Sequence, residues 1–266
     1  MSSNQEITNY PAPLRSFQAG GLTVRIYKDR AELGRAAAAA IAARVADALD
    51  TPKDLAMIFA SAPSQTETLR YLSADRNIDW SRVSGFHLDE YAGARETDAH
   101  SFRRFLQDHF LSQVRLKKFH PLRGEADDLQ AACREYARLL QDAAPQVALL
   151  GIGENGHLAF NDPPVADFHD PLDVKVVELD LPCREQQVHD GAFQRLEDVP
   201  SHALTLTVPC VMRVPHLFAM VPGPRKKIAV RDAVEGAIST ACPASILRSH
   251  TDAHLFLDAD SASLLR

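Results

Sequence analysis

The chain has 266 residues, with 29 Lys+Arg against 35 Asp+Glu, a formal net charge of −6, and 45% hydrophobic and 24% charged residues, an ordinary globular composition with room for one large or two small domains. Its longest basic run is Arg225, Lys226 and Lys227, which is not the footprint of a protein that grips many nucleic-acid phosphates. The amino-terminal stretch lacks a signal-peptide core, no segment nears the roughly 18 to 20 apolar residues of a membrane span, and Cys133, Cys183, Cys210 and Cys242 form no C-x-x-C pair, so we expect a cytoplasmic protein with reduced thiols and without a metal, nucleic-acid partner or membrane partner.

No period of about 20 to 50 residues repeats, and a single α/β unit over residues 1–266 is expected, preceded by a polar arm over 1–20. Residues 22–27 alternate apolar and polar, the period of a strand, and then Leu33, Ala37, Ile41, Val45 and Leu49 recur every four residues as on an amphipathic helix. The apolar run 55–60 leads into Ser61, Ala62, Pro63, Ser64, Gln65, Thr66 and Glu67, where Ser64 and Glu67 have the spacing of a capping box. Strand-like runs follow at 83–88, 147–152, 174–179, 203–208, 216–221 and 254–257, with helical patterns at 101–111, 127–142 and 225–235. Strands alternating with helices imply βαβ units around a largely parallel sheet. Ligands of such sheets bind beyond the carboxyl ends of the strands, which directs attention to the residues after Ala60, Leu88, Ile152 and Val221.

Four stretches at those places could carry chemistry. Asp89 and Glu90 stand where a strand opens into a loop, either as solvated turn formers or as a carboxylate base whose partial burial raises its pKa. Gly151, Gly153 and Gly156 match the G-x-G-x-x-G dinucleotide pattern, but Asn161, Asp162, Pro163 and Pro164 break the chain where a helix should open. The alternative is a backbone that bends close to a small ligand while presenting His157 and Asp162, with Asn155 fixing the imidazole or merely forming a turn. Ser61, Ser64, Gln65 and Thr66 at a helix start suit a phosphate or simply cap a helix. Lys226 and its basic neighbours either are simply solvated surface charge or face the positive end of a helix macrodipole, at a cost of about 0.3 to 1 kcal/mol each if exposed, which an anionic ligand would remove. His250 and His254 have helical metal-pair spacing but no third ligand.

Together these stretches resemble the glucosamine-6-phosphate deaminase (isomerase) family, related to the 6-phosphogluconolactonases. The resemblance rests on F-H-L-D-E-Y at 86–91 and G-I-G-E-N-G-H-L-A-F-N-D-P at 151–163, with H-S-F at 100–102 and A-V-E-G at 233–236, and runs from about Leu22 onward. It implies a Rossmann-like three-layer α/β sandwich that converts an aldose 2-amino sugar phosphate to the ketose and releases ammonia without a redox cofactor. Asp89 is similar to the carboxylate that shuttles a proton between C2 and C1, and His157 to the ring-opening acid/base, with Asn155 and Asp162 beside it. Lys226 resembles a phosphate-binding lysine, and Ser61, Ser64, Gln65 and Thr66 occupy the phosphate-loop position. Glu90 and Arg184 complete the implied substrate-binding set.

Four departures qualify the resemblance. The loop at 61–66 lacks the family's glycine-rich run, Gln187 stands where many members carry an arginine, Asp162 replaces the more usual glutamate, and Asn155 replaces aspartate. Arg184, three residues from Gln187, is the expected substitute cation, and the shorter Asp162 is expected to need a shifted backbone or a water to reach His157. The partner expected is a small-molecule sugar phosphate. The resemblance also admits a homo-oligomer, since relatives include monomers and oligomers. Two other functions remain open: a lactonase in which His157 activates water and Asp89 is dispensable, and a non-catalytic sugar-phosphate-binding regulator.

Overall fold

The computed structural model describes residues 10–266, and residues 1–9 of the expected polar arm lie outside them. The chain runs through β1 (Arg15–Ala19), β2 (Leu22–Tyr27), α1 (Arg30–Leu49), β3 (Leu55–Phe59), α2 (Thr66–Ala74), β4 (Val83–His87), β5 (Asp89–Tyr91), α3 (Phe102–Leu106) and β6 (Lys118–Phe119). It continues through α4 (Leu129–Ala143), β7 (Val147–Leu150), β8 (Val174–Glu178), α5 (Leu181–His189), β9 (His202–Leu206), α6 (Val208–Met212), β10 (His216–Val221), α7 (Lys227–Glu235) and β11 (Ala253–Asp258).

Eight strands form one sheet in the order β1-β2-β11-β10-β7-β3-β4-β6. All its pairings are parallel except that of β1 with β2. A parallel sheet covered on both faces needs strands that are apolar throughout, and β3, Leu-Ala-Met-Ile-Phe, is buried at every position. Its alternation sorts the core: Leu55, Met57 and Phe59 meet α1 and α2, while Ala56 and Ile58 meet α4, α6 and α7 on the opposite face. This gives the expected three layers, and α1 starts where Asp29 accepts the N–H of Glu32 at 2.9 Å, an N-cap.

Three local expectations are corrected. Part of the presumed arm, Arg15–Ala19, is an edge strand whose polar side chains suit its exposed position. The runs at 174–179 and 203–208 leave the main sheet, because β8 and β9 pair antiparallel with each other and β9 with β5, forming a separate three-stranded sheet. The Ser64–Glu67 capping box does not form. Pro63 opens a 3₁₀ turn that contains Ser64, α2 starts at Thr66 without a side-chain cap, and the Glu67 carboxylate is drawn to Arg30 at 2.7 Å. Among the described residues no helix is long and apolar enough to cross a membrane.

Candidate active site

Between β3 and β7 the winding of the sheet reverses, since β4 and β6 lie to one side and β10 and β11 to the other. A crevice at such a reversal is where α/β sheets take ligands, and a cleft of about 390 Å³ opens there. Its walls come from the four places marked in the sequence: Ser61 after β3, Asp89 after β4, Gly153 and His157 after β7, and Lys226 after β10.

Asp89 opens β5 where the chain steps out of the main sheet. It is 8% exposed, and burial, reinforced by the neighbouring charge of Glu90, holds its carboxyl well above the usual carboxylate range. A carboxylate so poised is a stronger base when it is ionised.

Across the cleft His157 Nδ1 lies 2.9 Å from Asp162 Oδ1. The shorter aspartate thus stands within direct contact distance of the imidazole. Burial pushes the Asp162 carboxyl up, but hydrogen bonding and charge from His157, with Asn155 and Cys183, outweigh it and hold the group below its usual range. Asn155 does not touch the ring. Its Nδ2 donates to Asp162 Oδ1 at 3.0 Å and its Oδ1 accepts the His157 backbone N–H at 3.1 Å, so it braces the pair as a positioning residue. The glycine loop opens no helix, as its prolines implied. Gly156 adopts a left-handed φ of 85°, and a Cβ on Gly153 would stand 2.3 Å from the His157 ring. The glycines thus fold the loop back onto the imidazole. Among the described residues, His157, Asp162 and Cys183 are the one group whose ligand atoms, within 4.8 Å of one another, could hold a metal. Burial raises the Cys183 thiol, and the 2.9 Å contact of His157 with Asp162 is one an acid–base pair would make.

The other end of the cleft is suited to an anion. Ser61, Ser64 and Thr66 line it, and the Ser61 hydroxyl oxygen is buried without a protein partner. Lys226 lines it as well, and burial pushes its ammonium down, opposed by the charges of Asp190 and Glu154. Three residues expected on this surface are elsewhere. Gln65 is fully buried, its Nε2 donating to Ser64 Oγ at 2.8 Å and to Leu150 O at 3.1 Å, so it supports the loop from beneath. Glu90 is fully buried and accepts from Ser101 Oγ at 2.7 Å, Phe102 N at 3.1 Å and Arg103 Nε at 3.3 Å. It braces the start of α3. Arg184 turns away to the carbonyls of Leu196 at 2.9 Å and Val199 at 3.2 Å in the loop after α5.

Sequence reasoning passed over Arg30 and the contact between Tyr91 and Gln187. Arg30 and Gln187 line the cleft, and Tyr91 Oη donates to Gln187 Oε1 at 2.6 Å, fixing that amide. Arg30 sits beyond the carboxyl end of β2, so the strand-end rule applied to every strand would have found it. The Tyr91–Gln187 contact joins residues 96 apart in sequence and had no local signal.

A family model described as glucosamine-6-phosphate isomerases/6-phosphogluconolactonase matches residues 28–256. The chain is 34% identical over 214 residues to a glucosamine-6-phosphate deaminase of Exiguobacterium sibiricum, covering 80% of this chain and 82% of the relative. It is 32% identical over 202 residues to one of Listeria monocytogenes, covering 76% and 84%. Among solved structures, a monomeric glucosamine-6-phosphate deaminase superposes with a TM-score of 0.82 at 30% identity, covering 91% of this chain and 99% of that one. A 6-phosphogluconolactonase from Thermotoga maritima superposes with a TM-score of 0.73 at 16% identity, covering 89% and 99%, a likeness of fold.

Proposed function

The chain belongs to the glucosamine-6-phosphate isomerase/6-phosphogluconolactonase family, and we propose that it is a glucosamine-6-phosphate deaminase. One observation carries the reading: a buried carboxylate, Asp89, and the His157–Asp162 pair face a single cleft whose remaining wall presents hydroxyls and two cationic side chains, Arg30 and Lys226. A hydrolysis needs one water-activating group, whereas moving a proton between adjacent carbons of an opened sugar needs a second, and this cleft has both.

In this reading His157, its Nδ1 side held by Asp162, exchanges protons with the ring and anomeric oxygens and opens the pyranose. Asp89 then takes the C2 proton, made acidic by the exposed C1 carbonyl, and returns it to C1 through an enolamine. The product imine at C2 adds water and expels ammonia, so the net reaction consumes one water and yields the ketose phosphate. The aldose–ketose conversion is an isomerisation, and the loss of nitrogen is hydrolytic in its atom balance. Ser61, Ser64, Thr66 and Lys226 hold the phosphate. The four cysteines are free and buried, which supports placing the reaction in a reducing compartment, the cytoplasm.

The test is ammonia release from glucosamine 6-phosphate. Removing a general base typically costs about 10² to 10⁴ in rate, so Asp89→Asn loses activity by that factor with its circular dichroism and Tm retained. Efficient hydrolysis of 6-phosphogluconolactone that tolerates Asp89→Asn would replace this reading with a lactonase, and sugar-phosphate binding without turnover would replace it with a regulator.

A further inference from the structure

With a net charge of −6, the molecule as a whole repels an anionic substrate, and attraction must come from the cleft itself. Among the described residues that line it, Arg30 and Lys226 are the side chains with a fixed positive charge, set against Asp89 and Asp190. The cation expected at or near position 187 is absent in effect: Gln187 is neutral and tied to Tyr91 at 2.6 Å, and Arg184 is committed to the Leu196 and Val199 carbonyls. Arg30 is therefore the one guanidinium in the cleft wall.

Its placement is specific. Arg30 begins α1 directly after β2, and one terminal nitrogen donates to the carbonyl of Pro63, which lies between the Ser61 and Ser64 hydroxyls in sequence. Its Nε is 2.7 Å from Glu67 Oε2, and its side chain remains 41% exposed. The guanidinium is thus anchored on the loop by one terminal nitrogen and drawn toward α2 by the Glu67 charge, in a residue that lines the cleft. A planar, weakly hydrated guanidinium held at a fixed angle suits bidentate contact with phosphate oxygens. Glu67, in the first turn of α2, competes for that charge.

We propose that Arg30 is a substrate-binding residue that selects for the phosphoryl group, and that Glu67 is its built-in competitor, restraining the affinity of the site. The inference rests on the sugar-phosphate reading above but concerns the anion site alone. It separates from a scaffold role for Arg30 by the opposite signs it assigns to the two substitutions. If Arg30 and Glu67 only staple α1 to α2, breaking the pair from either side loosens the loop and weakens the ligand in both cases.

The experiment measures the Kd of inorganic phosphate by calorimetry, and kcat/KM for glucosamine 6-phosphate relative to glucosamine, in wild type, Arg30→Gln, Arg30→Lys and Glu67→Gln, with Tm measured for each. Arg30→Gln raises the phosphate Kd and lowers the preference for the phosphorylated sugar at least tenfold, through KM more than kcat. Arg30→Lys recovers part of the loss, and Glu67→Gln lowers the phosphate Kd. Equal weakening by Arg30→Gln and Glu67→Gln, or an unchanged phosphate Kd in Arg30→Gln, overturns the proposal. Phosphate binding that depends on Arg30 in a protein that releases no ammonia would retain the anion site and reject the deaminase.

Discussion

The catalytic assignment depends on two side chains held in unusual surroundings, and each makes a checkable demand. Asp89 must be ionised to accept the C2 proton, and its burial beside Glu90 raises the pH at which that happens. The sign follows: activity is present above the raised pKa and is lost as pH falls through it. The acidic limb of kcat/KM is therefore displaced upward from the ordinary carboxylate range near 3.9, and Glu90→Gln, which removes the neighbouring charge, moves that limb back toward lower pH. A limb that stays in place in Glu90→Gln would show that the charge is not felt at Asp89. His157 makes a steric demand instead. A methyl on Gly153 would stand 2.3 Å from its ring, so Gly153→Ala must turn the imidazole off Asp162. Misplacement by about 1 Å can cost on the order of 10²-fold in rate, and a fall of that size in kcat is expected, measured with ammonia release. Near-normal kcat in Gly153→Ala would remove His157 from the mechanism.

Elements carry these residues to the cleft, and the buried Glu90–Arg103 pair sets how β5 meets α3. Arg103 also contacts Glu125 at 2.8 Å and the Ala94 carbonyl at 2.7 Å. Removing one member of a buried ion pair typically costs about 3 to 5 kcal/mol, because the other is left uncompensated. Glu90→Ala should fall near 3 kcal/mol, given the contacts Arg103 keeps, read from urea denaturation. Glu90→Gln, which retains an acceptor for the Phe102 N–H but not the charge, costs less, and a negligible loss in both variants would deny the pair its structural role. Much of this element scale was legible in advance. Six strands of the main sheet, β2, β3, β4, β7, β10 and β11, announced themselves as apolar or alternating runs, whereas β1 and β6 did not, and the strand-end rule led to Asp89, His157 and Lys226 because parallel strands share one functional edge. What stayed hidden depended on partners distant in sequence. The motif position of Glu90 beside Asp89 says nothing of Arg103, the β8–β9 pairing looks locally like any parallel strand, and the destination of Arg184 is fixed by carbonyls 12 and 15 residues away.

At the scale of the whole molecule, the site is built on a core that includes a buried titratable group the chemistry does not use, and this links stability to pH. His87 ends β4 with no exposure. Its Nε2 accepts the Leu122 N–H at 2.8 Å, and its backbone N–H and carbonyl both bond Tyr136 Oη, at 2.8 and 3.0 Å. Burial, aided by the charge of Arg103, pushes the imidazole from 6.5 down to about 3. The unfolded chain therefore binds a proton that the folded chain refuses. The stability His87 contributes is fully present above about pH 6.5 and is lost as pH falls toward 3, at about 1.4 kcal/mol per pH unit. Asp89 and Glu90, whose folded pKa values are raised, act with the opposite sign, since the folded state takes up their protons first. The net acid profile is a sum, and the His87 part is isolated only by difference. In His87→Gln, which keeps an acceptor for Leu122, the drop in unfolding free energy between pH 7 and pH 5 should be smaller than in wild type by about 2 kcal/mol. Parallel pH profiles in the two proteins would mean that His87 is charged in the folded state, and that β4 is not as closed to water beneath the cleft as its burial implies.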